Sequence, residues 1–381
     1  MIKLIAVKKL IIVCMVILLT GCWNYKDIDE LGIITGLAID EGENKNYLIT
    51  VKIVIPKEQE EMDPESKILE MEGETIFDSV RNMIMIFPKK LYFPHMDIVI
   101  ISEKVAEKGI VHTLDFLMRD AEPRISTKVL IAKDSTASKI LKHERIFTGI
   151  HSYEIESMLE SQSNLAKAPK VSFHQLINNI VSEGISATLP VIQTEHFNKR
   201  DFSIIQGTAI FKQDILVGYL DENQTKTFLF ITDQIDGGLI IIENIEGQAD
   251  TNIALEILET GTKLTPEYNG QLEIQIDVSG QVALAEVSRE YREIDEEMLE
   301  AVKREANKKL EQDIVDLIKM IQADYGADVF GFGNLVKTKN HKVWRDIENW
   351  EEEFRNLSVN VEVDLEIINT ALSKKSIQVG D

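Results

Sequence analysis

The chain has 381 residues, 64 of them acidic and 41 basic, and a formal net charge of −23 at pH 7. That charge excludes nucleic acid as the expected partner, because affinity for phosphate backbones comes largely from Lys and Arg displacing counterions. Two cysteines exclude a disulfide framework and any zinc site built on four cysteines or on two cysteines with two histidines, whereas 44% apolar residues suffice for a sizeable core and the length suggests about two or three domains.

The first residues combine a basic stretch (Lys3, Lys8, Lys9) with the apolar run Leu10–Leu19, the layout of a secretory signal. Ten helical residues cover about 15 Å, half of a ~30 Å hydrocarbon core, which is short for a spanning anchor. Leu19-Thr20-Gly21-Cys22 then looks like a bacterial lipobox, in which small residues precede a cysteine that accepts diacylglycerol through its thiolate. Residues 1–21 are read as a lipoprotein signal peptide and Cys22 as the lipidation site, so the covalent diacylglycerol is the only attached group expected and no cofactor is. Cys14 leaves with the signal and Cys22 is capped, which removes cysteine catalysis and redox chemistry from consideration. Two acyl chains give stable attachment where one is marginal.

Further along, Gly32–Asp40 and Tyr47–Ile55 read as a hairpin around residues 41–46. Residues 56–72, Glu-rich with two prolines, read as an exposed loop. Phe77, Val80, Ile84 and Phe87 recur at helical spacing, Met96–Ser102 and Ile125–Ala132 are strands of buried type, and Val105–Met118 is a helix with Val105, Ala106, Ile110, Leu114 and Leu117 inward. Residues 135–182 read as several short helices, closed by Gly184 and a Leu189-Pro190 turn. Residues 195–202 are the linker candidate, dividing an N-terminal α/β part, 22–196, from a C-terminal α+β part, 197–381. In the latter, Ser203–Phe211 with Ile215–Leu220 form one hairpin, and Leu239–Glu243 and Ile253–Glu259 are strands. Ser279-Gly280 reads as a two-residue turn between alternating runs. Residues 295–325 form the longest helix, with Leu299, Val302, Ala306, Leu310, Ile314, Leu317 and Ile321 as its stripe and Gly326 as a left-handed C-cap. Val343–Phe354 is a shorter amphipathic helix and Leu357–Ile368 the last strand. The expected class is α+β and multi-domain, with mixed or antiparallel sheets and the long helix packed on an antiparallel C-terminal sheet.

Chemical motifs are scarce. Phosphate loops, HExxH, GxSxG and CxxC are absent. Gly331-Phe332-Gly333 follows a helix and reads as a turn whose glycines permit positive φ. His143 and His151, eight apart, read as two surface histidines, although one continuous helix would place them on a common face. Asp40, Glu41 and Glu43 read as a solvated turn, against a hard-cation site. The Trp344, Ile347, Trp350, Phe354 stripe reads as core, and Trp344, Arg345, Trp350 and Arg355 are the candidate partner interface, since Trp and Arg are enriched in hot spots.

Several segments together resemble the Ger(x)C family, the lipoprotein C subunit of spore nutrient germinant receptors. They are Gly21-Cys22-Trp23-Asn24-Tyr25-Lys26-Asp27-Ile28-Asp29-Glu30-Leu31, Ile34–Asp40, Lys90-Leu91-Tyr92 with His95 and Ile98–Glu103, and Phe116–Asp120. They continue with Gly207–Lys212, Leu216–Gly218, Asp328–Gly333 and Trp344…Trp350…Phe354. The family tends to close on an Arg-Thr-Gly-like triplet, and Asn369-Thr370-Ala371 stands there instead. The resemblance implies a mixed α/β body of up to three small domains, no catalysis, and integral membrane A and B subunits as partners. It also implies lipid anchoring on the outer face of the spore inner membrane. The alternatives are a solute-binding lipoprotein of a membrane transporter, which usually shows two lobes with parallel sheets, and a lipid-anchored hydrolase.

Overall fold

The computed structural model describes residues 31–55, 66–119, 124–143, 150–243, 252–287 and 296–369. The signal segment and Cys22 lie outside these residues. The N-terminal part is built on β1 (Leu31–Glu41), β2 (Tyr47–Val54), β3 (Ser66–Gly73), β4 (Lys90–Tyr92), β5 (Ile98–Ser102), β6 (Lys128–Ala132), β7 (Thr188–Phe197), β8 (Arg200–Lys212) and β9 (Ile215–Leu220). Among the described residues these form one mixed sheet in the order β3-β2-β1-β5-β6-β7-β8-β9, with β4 also on β1. The centre, β1-β5-β6-β7, is parallel, and the two flanks are antiparallel hairpins. Central strands buried on both faces need continuous apolar runs. Ile98–Ser102 and the stretch Val129–Ala132 are such runs, and all are buried.

Helices α1 (Ile76–Asn82), α2 (Glu103–Ala106), α3 (Val111–Arg119), α4 (Ala137–Lys142), α5 (His151–Glu160) and α6 (Phe173–Val181) pack on this sheet. The five inward residues expected of 105–118 are all buried, but the segment is two helices, broken at Gly109 with φ +104°. After α1 the chain tightens into a 3₁₀ turn at Met83–Met85. That turn keeps Val80 and Phe87 inside and leaves Phe77 and Ile84 about half exposed, so the expected single stripe is split.

Helix α7 (Glu222–Ile231) leads to the second sheet, made of β10 (Leu239–Glu243), β11 (Asn252–Tyr268), β12 (Leu272–Val287) and β13 (Ser358–Asn369) in that order. Helix α8 (Glu296–Met320) continues through a π turn, Ile321–Tyr325, to Gly326 at φ +58° and packs along β13, giving the α+β arrangement with a long helix on a sheet. Ala301, Val302, Ala306, Leu310, Ile314, Leu317, Ile318 and Ile321 form its buried stripe. Then come α9 (Phe332–Lys339), α10 (His341–Asp346) and α11 (Trp350–Asn356). The last strand pairs with β12 in parallel, because the helices between them carry the chain back to the start of β12.

Several expectations are corrected. Residues 66–72, expected within a loop, belong to the edge strand β3, half-buried along its length, with Leu69 and Met71 packed on the core from one face and Glu70 bonded to Ser138 and Lys142 from the other. Pro190 lies inside β7, beside a register shift where a missing N–H is tolerated. Residues 195–202 are no linker: they are the tip of the β7–β8 hairpin, turned by Asn198 and Lys199 at φ +49° and +65°, as a type I′ turn demands. Ser279-Gly280 is not a turn either. It sits mid-strand in β12, where a Cβ on Gly280 would come within 2.8 Å of Glu259 O, so the glycine marks close approach of neighbouring strands. The segment 343–354 is two helices, parted at Ile347–Asn349.

Candidate functional site

The segment that closes α8 builds the most constrained site. Asp328 is buried, and its carboxylate is wrapped by the first turn of α9: Oδ1 accepts from the N–H groups of Gly331 (2.9 Å) and Phe332 (3.2 Å), and Oδ2 from Gly333 (2.8 Å). The Trp350 indole N–H donates to the same Oδ2 at 3.0 Å. Gly331, at φ +75°, gives the backbone the hand it needs to fold around the carboxylate. Burial pushes the pKa of Asp328 up to about 6, while the Gly333, Phe332, Trp350 and Gly331 donors pull it down. Four donors and no acceptor are what an ionised carboxylate satisfies.

Around this knot lie the residues expected at a partner interface. Trp350 lies against Gly333, where a Cβ would stand 2.5 Å from the indole. Arg355 donates to the carbonyls of Gln322 (2.8 Å) and Ala323 (3.1 Å), and Gln322 donates in turn to those of Phe354 and Leu357 (2.8 Å each), so α11 is tied to the π turn. Trp344 is half-buried with its ring 5.4 Å from that of Trp350, and Phe354 is fully buried. The stripe is core-packed, as its spacing suggests. Arg345 stays exposed on α10. The structure thus brings Trp344 and Trp350 together and commits Trp350 and Arg355 to internal bonds.

The knot also joins the two parts of the chain. Asn334 N–H donates to Gly184 O at 2.8 Å and Ser186 N–H to Asp328 O at 2.7 Å. Ion pairs Lys337–Glu183 (2.8 Å) and Lys212–Glu351 (2.6 Å) flank the seam. Asp328 itself was not singled out by sequence reasoning, although an aspartate three residues before Gly-Phe-Gly at a helix start is the signal that marks it.

A second polar cluster overturns the expectation of two surface histidines. His143, at the end of α4, and His151, opening α5, are 8% and 3% exposed, with ring centroids 6.2 Å apart. Ser203 Oγ on β8 lies between them, 2.9 Å from His143 Nδ1 and 3.3 Å from His151 Nε2, and His151 Nδ1 is 3.1 Å from Glu154 Oε2. Burial pushes both imidazole pKa values down, so both rings are neutral near pH 7. The order Ser203–His151–Glu154 matches a nucleophile, base and orienting acid. Ser203, however, is 4% exposed, on β8 just past the hairpin tip, so the cluster is closed to a substrate. Its chemistry is to hold α4 and α5 on β8.

Asp40 likewise is no solvated turn. It is buried and accepts from Ala137 N–H (2.9 Å) and Ser138 N–H (2.8 Å), capping α4, while burial pushes its pKa up against those donors. Among the described residues, no group of three or more His, Cys, Asp and Glu is placed to hold a metal ion. An open groove of about 1220 Å³ runs between α1 and α3, with Val80, Leu91 and Phe93 on its floor and Arg81, Lys108 and His112 on its rim.

The comparisons with known proteins agree along the chain. Residues 24–194 match the family model described as spore germination protein N-terminal domain, and residues 206–371 that described as spore germination B3/GerAC like, C-terminal. Spore germination protein KC of Bacillus subtilis (strain 168) is 25% identical over 95% of each chain. Spore germination protein B3 of the same organism is 23% identical, over 93% of this chain and 95% of that one. The crystal structure of the GerBC protein superposes with a TM-score of 0.58 at 19% identity, covering 88% of this chain and 97% of that one, and so shows the same fold.

Proposed function

The chain belongs to the Ger(x)C family of spore germination proteins, and from that premise we propose that it is the lipid-anchored, non-enzymatic C subunit of a spore germinant receptor. It would sit on the outer face of the spore inner membrane beside integral membrane A and B subunits. The observation that carries this reading is the pairing of both family halves, in order, over nearly the whole chain. The closed Ser203–His151–Glu154 cluster supports a role without catalysis. Among the described residues no helix is long and apolar enough to cross a membrane; in this reading attachment comes from the lipid at Cys22. Tethering raises the effective concentration of partners held in the same membrane. A solute-binding lipoprotein is not favoured: its two parallel lobes contrast with the mixed nine-stranded sheet and its antiparallel flanks.

Cys22→Ala is expected to leave an uncleaved or mislocalised precursor, to remove the protein from spore membranes and to slow nutrient-triggered germination. Intact-mass analysis showing an unmodified N-terminus on the membrane-bound wild type would refute the anchor. The exposed face of α10 is the proposed docking surface for the membrane subunits. Arg345→Glu should therefore leave stability within ~0.5 kcal/mol of wild type, as surface changes do, yet reduce co-purification of the A and B subunits. A variant that recovers both partners and germinates like wild type would move the docking surface elsewhere.

A further inference from the structure

The split of the Phe77–Phe87 stripe leaves three consecutive large apolar residues outside: Ile84, Met85 and Ile86 are 52%, 74% and 56% exposed. They are not on a loose loop. Met83 and Phe87 on either side are buried, and the N–H groups of Ile86 and Phe87 both donate to Met83 O, at 3.1 and 2.9 Å. The turn is held outward by its own anchors.

Topology says where it points. β1 starts at Leu31, paired with Lys90, and ends beside Tyr47, which pairs with Gly73 at the end of β3. Helix α1 runs back from that far end, so Ile84–Ile86 arrive at the end where β1 begins. Helix α3 also runs back, from the end of β5, and brings Met118 (59% exposed) to the same side, where Ile125 (69% exposed) precedes β6. Five of the large exposed apolar side chains therefore gather at the end where the described chain enters. Leu31 is nine residues past Cys22. Nine extended residues reach at most about 30 Å, so a lipid on Cys22 keeps the start of β1 within that distance of the bilayer, a limit that the β1–β2 turn, ten strand residues further on, does not share.

We propose that this end of the first sheet is a membrane-inserting face, with Ile84-Met85-Ile86 as a wedge that enters the headgroup–acyl boundary and sets the orientation of the tethered body. The proposal rests on the lipid-anchor reading. The driving term is apolar burial; the net charge of −23 gives the chain as a whole no attraction to anionic headgroups.

The test uses the mature lipidated protein in protein-free phosphatidylcholine vesicles, with an environment-sensitive fluorophore on Met85→Cys or, at the far end of β1, on Glu43→Cys. The label at position 85 should shift to the blue and lose most of its emission to nitroxide-bearing lipids, while that at 43 should do neither. Equal, water-like behaviour of the two labels would overturn the wedge. So would quenching at 85 that appears only in spore membranes containing other proteins, which would assign the face to a protein partner. Intact mass reports the lipid separately. If it is missing, the anchor reading fails, and the same two labels are compared on a chain tethered through a polyhistidine segment ahead of residue 23 to nickel-chelating lipid; there too, quenching confined to position 85 supports the wedge and its absence overturns it.

Discussion

Asp328→Asn is expected to destabilise the protein by about 2–4 kcal/mol, the cost of leaving buried donors without an acceptor. The side chains are isosteric, so packing is preserved and the loss is one of polarity. Asp328 receives four donors: three backbone N–H groups and the Trp350 indole. An asparagine offers one acceptor oxygen, and its NH2 group would face either the Gly333 and Trp350 donors or the Gly331 and Phe332 donors. In either orientation two buried donors are left opposite another donor, at ~1–3 kcal/mol per unsatisfied group. The pH dependence has a definite sign. The folded-state pKa is raised, to about 6 from the ordinary 3.8, so between these values the folded chain holds a proton that the unfolded chain has released. Stability from this group therefore rises as pH falls from 6 towards 4 and is flat above 6. Other carboxylates with lowered values, such as Glu70 beside Lys142, have the opposite trend. The quantity to measure is thus the difference between wild type and Asp328→Asn in denaturant melts at pH 7 and pH 5. That difference should widen at pH 5, and a difference that shrinks would assign Asp328 a lowered value instead.

Elements whose signal is local were legible in the sequence. The stripe of α8 and its Gly326 cap, the β1–β2 hairpin and the alternation of β13 each depend on residues within one segment, and each stands where its pattern put it. What was hidden depends on partners far along the chain. Gly280 resembles a turn glycine until β11 and β13 are seen to close on it from both sides. Residues 66–72 look like an acidic loop because Glu70 and Glu72 find their partners, Ser138 and Lys142 for one and the Glu43 and Asn44 N–H groups for the other, only in the fold. His143 and His151 meet Ser203 more than fifty positions later, so spacing between the histidines carried no information about their burial. The candidate site divides in the same way. The aromatic stripe was readable from its period, whereas the Asp328 carboxylate that orients Trp350 is 22 residues away and becomes visible only in the folded turn.

The second large effect is expected at the seam between the two parts of the chain. A Cβ on Gly184, at φ +73°, would stand 2.5 Å from the Gly333 carbonyl carbon and 2.6 Å from Asn334 N; a Cβ on Gly333 would stand 2.6 Å from the Gly184 Cα and 2.5 Å from the Trp350 ring. These obstacles are backbone and a half-buried indole rather than the free end of a side chain, so the seam itself must open. Gly184→Ala is expected to cost about 2–4 kcal/mol, the sum of left-handed strain and overpacking, and Gly333→Ala a similar amount from overpacking alone. Opening the seam in either variant also weakens the Asn334–Gly184 bond at 2.8 Å and the Ser186–Asp328 bond at 2.7 Å. Because both substitutions push apart the same two backbones, the double variant should cost clearly less than the sum of the singles, a coupling measurable by a double-mutant cycle in denaturant. Additive costs would mean that the two glycines serve separate purposes, Gly184 for its own turn and Gly333 for Trp350. Coupling would instead identify the seam as one unit that ties α9 to the N-terminal part.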